Sequence, residues 1–475
     1  MRLFASRYNF FIPLESQAGL LFSAFSGAIV KLSGSDSIQL ASHLCQFPRE
    51  VDGGEISDDL ISQLTDGGFL THNPEEQLDE IRRRYRDARL NYPLVITLTT
   101  TMECNLGCYY CYEQRAEERL EARDVDSIVA LARSRLTKAE KRHLHVDWYG
   151  GEPLLNVSFI EAASSRLQSL ASELDVGYSA SLVSNGTCWP DDPAAFVRRH
   201  RLRQVQISFD GLRENHNRRR RFTEGASEGK SSFDLAVNVV DRLIPHVRVD
   251  IRFNIDTRNK DDVLPMIDFG RERGWFSGQH GTTFQPARLA AYTEHSSFMR
   301  KAELSVGEFD GIRASVREFL TEAPVPESEA PDGFPYPRTS VCAALAADPV
   351  VIGSDKRLYH CGLQVSEKVR AVGSLERSFS PFQILGQDQV AWSSEEKFWS
   401  GFDPTTAPKC SQCSFLPICW GGCAKKHLDR DQKAIDEQGE YWRSNLGRLV
   451  SHGVGLTPVA PVVFTEAEQF RSHRG

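Results

Sequence analysis

Residues Cys104-Asn-Leu-Gly-Cys108-Tyr-Tyr-Cys111 set three cysteines within eight positions, directly after Leu94–Thr100, which reads as a strand. A loop of this size can wrap its thiolates round one corner of a cubane iron–sulfur cluster. An electron-carrying cluster normally takes four cysteines, so three leave one iron open to a substrate or cofactor. Zinc is the alternative, although it would seek a fourth ligand nearby and the adjoining sequence offers no obvious one. Outward from this loop, strand-like and helix-like segments alternate. The strands are expected at Leu94–Thr100, His143–Tyr149, Tyr178–Ser184, Gln204–Phe209, Val247–Ile255 and Thr282–Gln285. Helices are expected at Asp124–Leu136, Val157–Leu174, Asp192–Arg199 and Phe233–Leu243. Such alternation implies an α/β fold with parallel strands and right-handed crossovers, either a doubly wound sheet or a barrel. Polar motifs follow the strands, where barrels carry their active-site loops.

The CX3CX2C spacing, with Tyr110 before the last cysteine, resembles the signature of the radical S-adenosylmethionine (radical SAM) superfamily. Gly150-Gly151-Glu152-Pro153 is similar to that family's GGEP, and Ser184-Asn185-Gly186-Thr187 and Ser208-Phe-Asp210-Gly211 follow the next two strands. The resemblance implies a partial (β/α)6 barrel with a [4Fe–4S] cluster on Cys104, Cys108 and Cys111. It also implies S-adenosyl-L-methionine (SAM) contacts from Tyr110, Gly150, Gly151, Glu152, Pro153, Ser184, Asn185, Ser208, Asp210 and Asn254. In this reading Glu152 faces the SAM ammonium, and the glycines let the backbone approach the ligand. The implied reaction is reductive cleavage of SAM to a 5′-deoxyadenosyl radical that abstracts a substrate hydrogen. The cofactor carries that chemistry and the protein positions it. His216-Asn217 stands where the family often has His-Asp. The basic run Arg218–Arg221 reads as a solvated turn or, alternatively, as an anion-binding edge for an acidic peptide.

The chain has 11 cysteines. Clustered thiols in a reducing compartment point to metal rather than disulfides. Cys410-X2-Cys413-X5-Cys419-X3-Cys423, with Cys342 and Cys361 upstream, resembles the SPASM extension of peptide-modifying radical SAM enzymes. That pattern implies one or two auxiliary Fe–S clusters, the first on Cys342, Cys361 and Cys423 and the second on Cys410, Cys413 and Cys419. A zinc ribbon is the alternative. No cysteine follows Cys423, so the last ligand of the second cluster is missing. His427, Asp429 or Asp431 is then the substitute ligand, or the site is open, or that cluster is absent. Lys356 replaces a glycine usual five residues before Cys361. Cys45 reads as a core thiol, and Cys188 as a packed thiol near the SNGT turn.

Residues 1–72 read as a small α+β unit resembling the winged-helix-like domains that capture the leader of a ribosomally made precursor peptide. Such capture often adds the leader as a strand at a sheet edge. An exposed, charged linker helix is expected at 73–91, the barrel at 92–320, a Pro-rich linker at 321–338 and the SPASM domain at 339–475. The function implied is a peptide maturase forming a C–C (cyclophane-type) or thioether crosslink in a precursor with leader and core, served by a flavodoxin or ferredoxin-type electron donor. Gly362 after Cys361 argues against a sulfatase-maturase activity, which usually places an aspartate base there. Epimerisation is the other enzymatic alternative, and a non-enzymatic Fe–S peptide-binding protein the third reading. A net charge of −8 gives no drive toward nucleic acid or anionic membranes, and no apolar run is long enough to span a bilayer. A cytoplasmic location follows as the default. No catalytic base is assigned from the sequence.

Overall fold

The structure, a computed structural model, describes residues 2–15, 17–51, 57–225, 229–291, 294–320, 334–365, 367–375 and 394–465. Most of the expected 321–338 linker lies outside these residues. The chain divides into two compact units: Met1–Tyr92 with Ala323–Leu345 and Ser400–Gly475, and Pro93–Glu322 with Ala346–Trp399. The expected 339–475 domain is therefore shared between them, since Ala346–Trp399 groups with the barrel.

In the first unit, β1 (Leu3–Ala5) pairs with β5 (Glu50–Val51) and β6 (Leu70–Thr71), while β2 (Asn9–Leu14), β3 (Ala18–Ser23) and β4 (Ile29–Ser33) form an antiparallel meander. Val463–Phe464, from the far end of the chain, adds to β2 opposite Phe11 and Phe10. Helices Ser35–Leu44, Asp58–Asp66 and Pro74–Leu90 accompany these strands. The last is charged yet is not a free linker. Gln77, Ile81, Tyr85 and Ala88 form a buried stripe at helical spacing, and Gln77 bonds Ser6 Oγ at 2.9 Å and the Gly68 carbonyl at 3.1 Å. Two of those four residues are polar, which hid the stripe. Cys45 is buried among Leu44, Phe11 and Leu64, as expected of a core thiol.

The second unit carries six parallel strands: β7 (Leu94–Thr99), β8 (His143–Tyr149), β9 (Gly177–Ser184), β10 (Leu202–Phe209), β11 (Arg248–Ile255) and β12 (Thr283–Arg288). They lie side by side in sequence order. Successive right-handed crossovers that always step the same way put every helix on one face, which selects the open barrel over the doubly wound sheet. Beyond β7 the sheet continues with β13 (Val350–Ile352), parallel to β7, then β14 (Arg357–Tyr359) and β15 (Gly373–Ser374), both antiparallel.

Alternation along the strands separates core from lumen. Leu144, Val146 and Trp148 of β8, and Val249, Ile251, Phe253 and Ile255 of β11, are fully buried in the apolar core beneath the helices. Each such side chain contributes about 1.5–3 kcal/mol. Helix Ser232–Leu243 illustrates the outer layer: Ser231 Oγ accepts from Asp234 N at 3.1 Å, and Phe233, Ala236, Val240 and Leu243 form its buried stripe. The opposite face of the strands is polar.

Lys356 sits at φ +65°, the left-handed region glycine favours, and its Nζ pairs with Asp124 at 3.0 Å. The lysine thus trades backbone strain for an ion pair. Lys356→Gly is expected to be more stable than Lys356→Ala by about 1 kcal/mol, read as a higher melting temperature. Equal melting of the two variants would remove the strain from this explanation.

Candidate active site

The cysteine loop is pinned by its backbone. Gly151 N donates to the Thr101 carbonyl at 3.0 Å and Glu152 N to the Glu103 carbonyl at 2.9 Å. On the other side, Gly107 N donates to Arg221 O at 2.6 Å and Thr223 N to Asn105 O at 3.0 Å. A Cβ on Gly150, at φ +137°, would stand 2.2 Å from Thr101 O, and one on Gly151 would stand 2.5 Å from Glu103 O. These glycines are required by the close approach of the loop after β8 to the cysteine loop itself.

Glu152 is fully buried. Its Oε1 accepts from Ser184 Oγ at 3.0 Å and Leu154 N at 3.2 Å, and its Oε2 accepts from Asn185 N at 2.7 Å. The carboxylate therefore joins the loops after β8 and β9. Asn185 carries the link onward: its Nδ2 reaches Asn105 Oδ1 at 2.8 Å and Cys104 Sγ at 3.7 Å. The Thr100 hydroxyl donates to Pro153 O at 3.2 Å, tying that end of the motif to β7.

A second cluster lies at the ends of β10 and β11. Tyr110 OH donates to Asp210 Oδ1 at 2.8 Å, and Asn254 Nδ2 reaches the same oxygen at 3.3 Å. Arg220 Nη1 donates to Tyr110 OH at 2.7 Å, while Arg219 bridges Asp210 at 3.1 Å and Asp256 at 3.0 Å. Arg219 and Arg220 are thus buried, neither a solvated turn nor an anion-binding edge, although Arg218 and Arg221 are exposed. Burying cations requires partners, and the partners Asp210, Asp256 and Tyr109 come from separate strands and loops. A run of four arginines carries no sequence sign of which two turn inward. Asn217 stands where aspartate was expected, and its Oδ1 accepts from Phe233 N at 3.0 Å, anchoring the next helix. Ser208 lies opposite Arg252 in the β10–β11 register, below this cluster.

Cys104, Cys108 and Cys111 all have thiols pushed upward, chiefly by burial, to about 11 for Cys104 and about 12 for Cys111. Cys104 also feels Cys108, and Cys111 feels both others, so the three converge. Arg220 opposes the rise at Cys104 and Cys108. Among the described residues no three His, Cys, Asp or Glu side chains gather tightly enough to hold a single ion. A cubane spreads its ligands more widely than an ion does, and three converging thiols beside a buried cation suit an anionic Fe–S cluster. Glu113, two residues beyond Cys111, is raised to about 7 by burial and hydrogen-bonds Tyr149, whose hydroxyl also meets Tyr112. An open cavity of about 1070 Å³ is lined by Cys108, Cys111, Tyr109, Glu113, Arg221 and Phe298, among others.

In the first unit Cys410, Cys413 and Cys419 also converge, since Cys410 feels Cys419 and Cys413 feels both others. Arg338 lies near Cys419 and Arg443 near Cys413. Of the substitute ligands considered, Asp429 pairs with Lys425 at 2.6 Å, Asp431 with Lys426 at 3.2 Å, and His427 Nε2 lies 2.8 Å from Gly421 O. Cys342 and Cys423 are exposed in this unit, and Cys361 is partly buried in the other. Cys188 packs against the barrel's outer core and feels the charges of Glu152 and Cys104.

Residues 98–270 match the family model of the Radical SAM superfamily. The chain is 24% identical to the mycofactocin maturase MftC of Mycobacterium ulcerans over 351 residues, 70% of this chain and 84% of that protein. It is 24% identical to the radical SAM cyclopropyl synthase TigE of Paramaledivibacter caminithermalis over 198 residues, 38% of this chain and 40% of that protein. This second match spans less than half of the relative's length. Among solved structures, native anSMEcpe with bound AdoMet and Kp18Cys peptide shares the fold, with a TM-score of 0.56 and 17% identity over 77% of this chain and all of that one.

Two outcomes follow from the pinned loop and the buried carboxylate. Gly150→Ala is expected to lose roughly four irons per reconstituted chain, one cubane's worth, with its circular dichroism kept. Full iron retention would mean the close approach is dispensable. Burial raises Glu152 from 4.5 to about 7. Its contribution to stability is therefore fully present below about pH 4.5 and is lost as pH rises through about 7. Glu152→Gln, which cannot titrate, is expected to melt below wild type at pH 5 and to close that gap by pH 8. A gap independent of pH would contradict the assignment.

Proposed function

We propose that this enzyme of the radical SAM superfamily is a maturase that installs a crosslink in a ribosomally made precursor peptide. The observation that carries the reading is the pairing of two convergent cysteine trios, Cys104/Cys108/Cys111 and Cys410/Cys413/Cys419, in one chain. The maturase MftC, matched over most of its length, supports a maturation reaction. When bound to Cys104, Cys108 and Cys111, a [4Fe–4S] cluster with SAM supplies the 5′-deoxyadenosyl radical that abstracts hydrogen.

The chain's own residues then have distinct tasks. Glu152 and Asn185 orient the loops after β8 and β9 round the cysteines. Tyr110, Asp210 and Asn254 form a fixed polar wall at the ends of β10 and β11. Arg220 holds positive charge beside the thiolates. Glu152 has both carboxylate oxygens engaged by protein donors, so in this reading it aligns the SAM site as well as offering charge to an ammonium. The remaining contact residues Gly150, Gly151, Pro153, Ser184 and Ser208 serve it by shaping the same loops. Auxiliary clusters fall to Cys342, Cys361 and Cys423 and to Cys410, Cys413 and Cys419, and a flavodoxin or ferredoxin-type protein supplies electrons in the cytoplasm.

Crosslinking is favoured over epimerisation because Cys188, the one thiol available as a hydrogen donor, is partly buried against the apolar core and its thiol is held protonated by burial and by Glu152 and Cys104 rather than activated. The winged-helix-like first unit is proposed to take the leader as an added strand. Val463–Phe464 covers one edge of the β2–β3–β4 sheet, which leaves β4 as the outer strand on the other side among the described residues. Deleting residues 1–72 is a poor test of this, since that segment folds with the C-terminal residues as one unit. Lys31→Pro, which removes a backbone donor from β4, is expected to weaken precursor binding at least tenfold with iron content kept. Unchanged binding would exclude this edge. With reduced enzyme and SAM, a precursor peptide with leader and core is expected to lose two hydrogens by mass spectrometry. A modified product of unchanged mass would replace crosslinking by epimerisation.

A further inference from the structure

We infer that Arg252, in the barrel lumen beneath the cysteine loop, receives a carboxylate of the substrate peptide, an Asp or Glu side chain near the modified residue. The inference rests on the peptide reading above. Arg252 belongs to the polar face of β11, because Ile251 and Phe253 on either side are in the apolar core. Two residues further along, Asn254 reaches Tyr110 and Asp210, so Arg252 occupies the layer just below the site. Its charge is felt by Tyr112, next to Cys111.

The acidic groups around it already have hydrogen-bond or ionic partners, Glu113 being bonded to Tyr149 and pushed up to about 7 by burial. Asp147 is held by His145 at 3.1 Å and by the Ser181 and Thr97 hydroxyls. Asp250 takes Arg248 at 3.0 Å, Thr283 Oγ1 at 2.6 Å and Gln204. Asp210 and Asp256 hold Arg219. Glu152 accepts from Ser184, Asn185 and Leu154. Arg252 alone in this layer has no carboxylate among the described residues; its one hydrogen bond runs from Nε to Asn254 Oδ1 at 3.0 Å. That bond fixes the guanidinium plane and leaves both Nη groups to a ligand. A partly buried guanidinium is a fork for a carboxylate, and its strand neighbours Ser208 and Gln285 add neutral hydrogen-bonding groups without competing charge.

SAM also carries a carboxylate, so the test separates the two sources. The probes are acetylated, amidated heptapeptide pools with randomised flanks and a fixed central Asp or Asn. They are captured by full-length reconstituted protein with SAM present and counted by mass spectrometry. Wild type is expected to retain the Asp pool about tenfold better than the Asn pool. Arg252→Gln should equalise the pools, and Arg252→Lys should keep part of the preference, with iron content and SAM affinity held in both variants. Equal retention by wild type overturns the inference and leaves the peptide reading intact. Loss of SAM affinity in Arg252→Gln that disappears with decarboxylated SAM also overturns it, assigning the guanidinium to the cofactor. Retention of neither pool by wild type overturns both.

Discussion

Two backbone seams hold the cysteine loop, one to the glycine pair after β8 and one to Arg221–Thr223 after β10. Three thiols share one inorganic core more readily when the loop that bears them already holds its curvature, since ordering the loop then costs nothing at binding. The seams supply this by main-chain bonds, which are insensitive to side-chain rotamers and tolerate no Cβ at Gly150 or Gly151. Glu152 then adds a side-chain lock between the neighbouring loops. Because its lone pairs are turned to Ser184, Leu154 and Asn185, one carboxylate registers two strands against the cysteines.

Around this seam the protein accumulates buried charge. Arg219, Arg220, Asp210 and Asp256 form a network in which each ion is desolvated and each has partners on another element. Such networks add little net stability over apolar packing, yet removing one member strands the others at a cost of about 3–5 kcal/mol. Their effect is geometric: the ends of β10 and β11 and the cysteine loop cannot drift apart without unpairing a charge. The same positive charge lies beside Cys104 and Cys108, whose burial otherwise favours the protonated thiol.

Much of this was legible in the sequence because the barrel strands are short apolar runs followed by polar turns. All six expected strands exist, with ends displaced by three residues at most. The order of motifs after them placed Glu152, Asn185, Asp210 and Asn254 at one end of the sheet. Less was legible where the deciding contact is long-range. β13 is three residues long and acquires meaning only by pairing with β7 some 250 positions earlier. Val463–Phe464 is a strand only because β2 offers an edge. The stripe on Pro74–Leu90 was masked by Gln77 and Tyr85, and the inward turn of Arg219 and Arg220 depends on Asp256, which no local pattern connects to them. Arg252 was invisible for the opposite reason: it sits in an otherwise regular strand and is notable for the carboxylate it lacks.

The central claim is that Cys104, Cys108 and Cys111 hold the catalytic Fe–S cluster, separately from the thiols of the first unit. Iron and sulfide content, with 5′-deoxyadenosine formation from SAM, on anaerobically reconstituted wild type and a Cys104/Cys108/Cys111→Ala variant tests it directly. The account predicts about 8 to 12 irons in wild type, roughly four fewer in the variant, and SAM cleavage in wild type only. Zinc in place of iron, or SAM cleavage absent from both proteins, would contradict it.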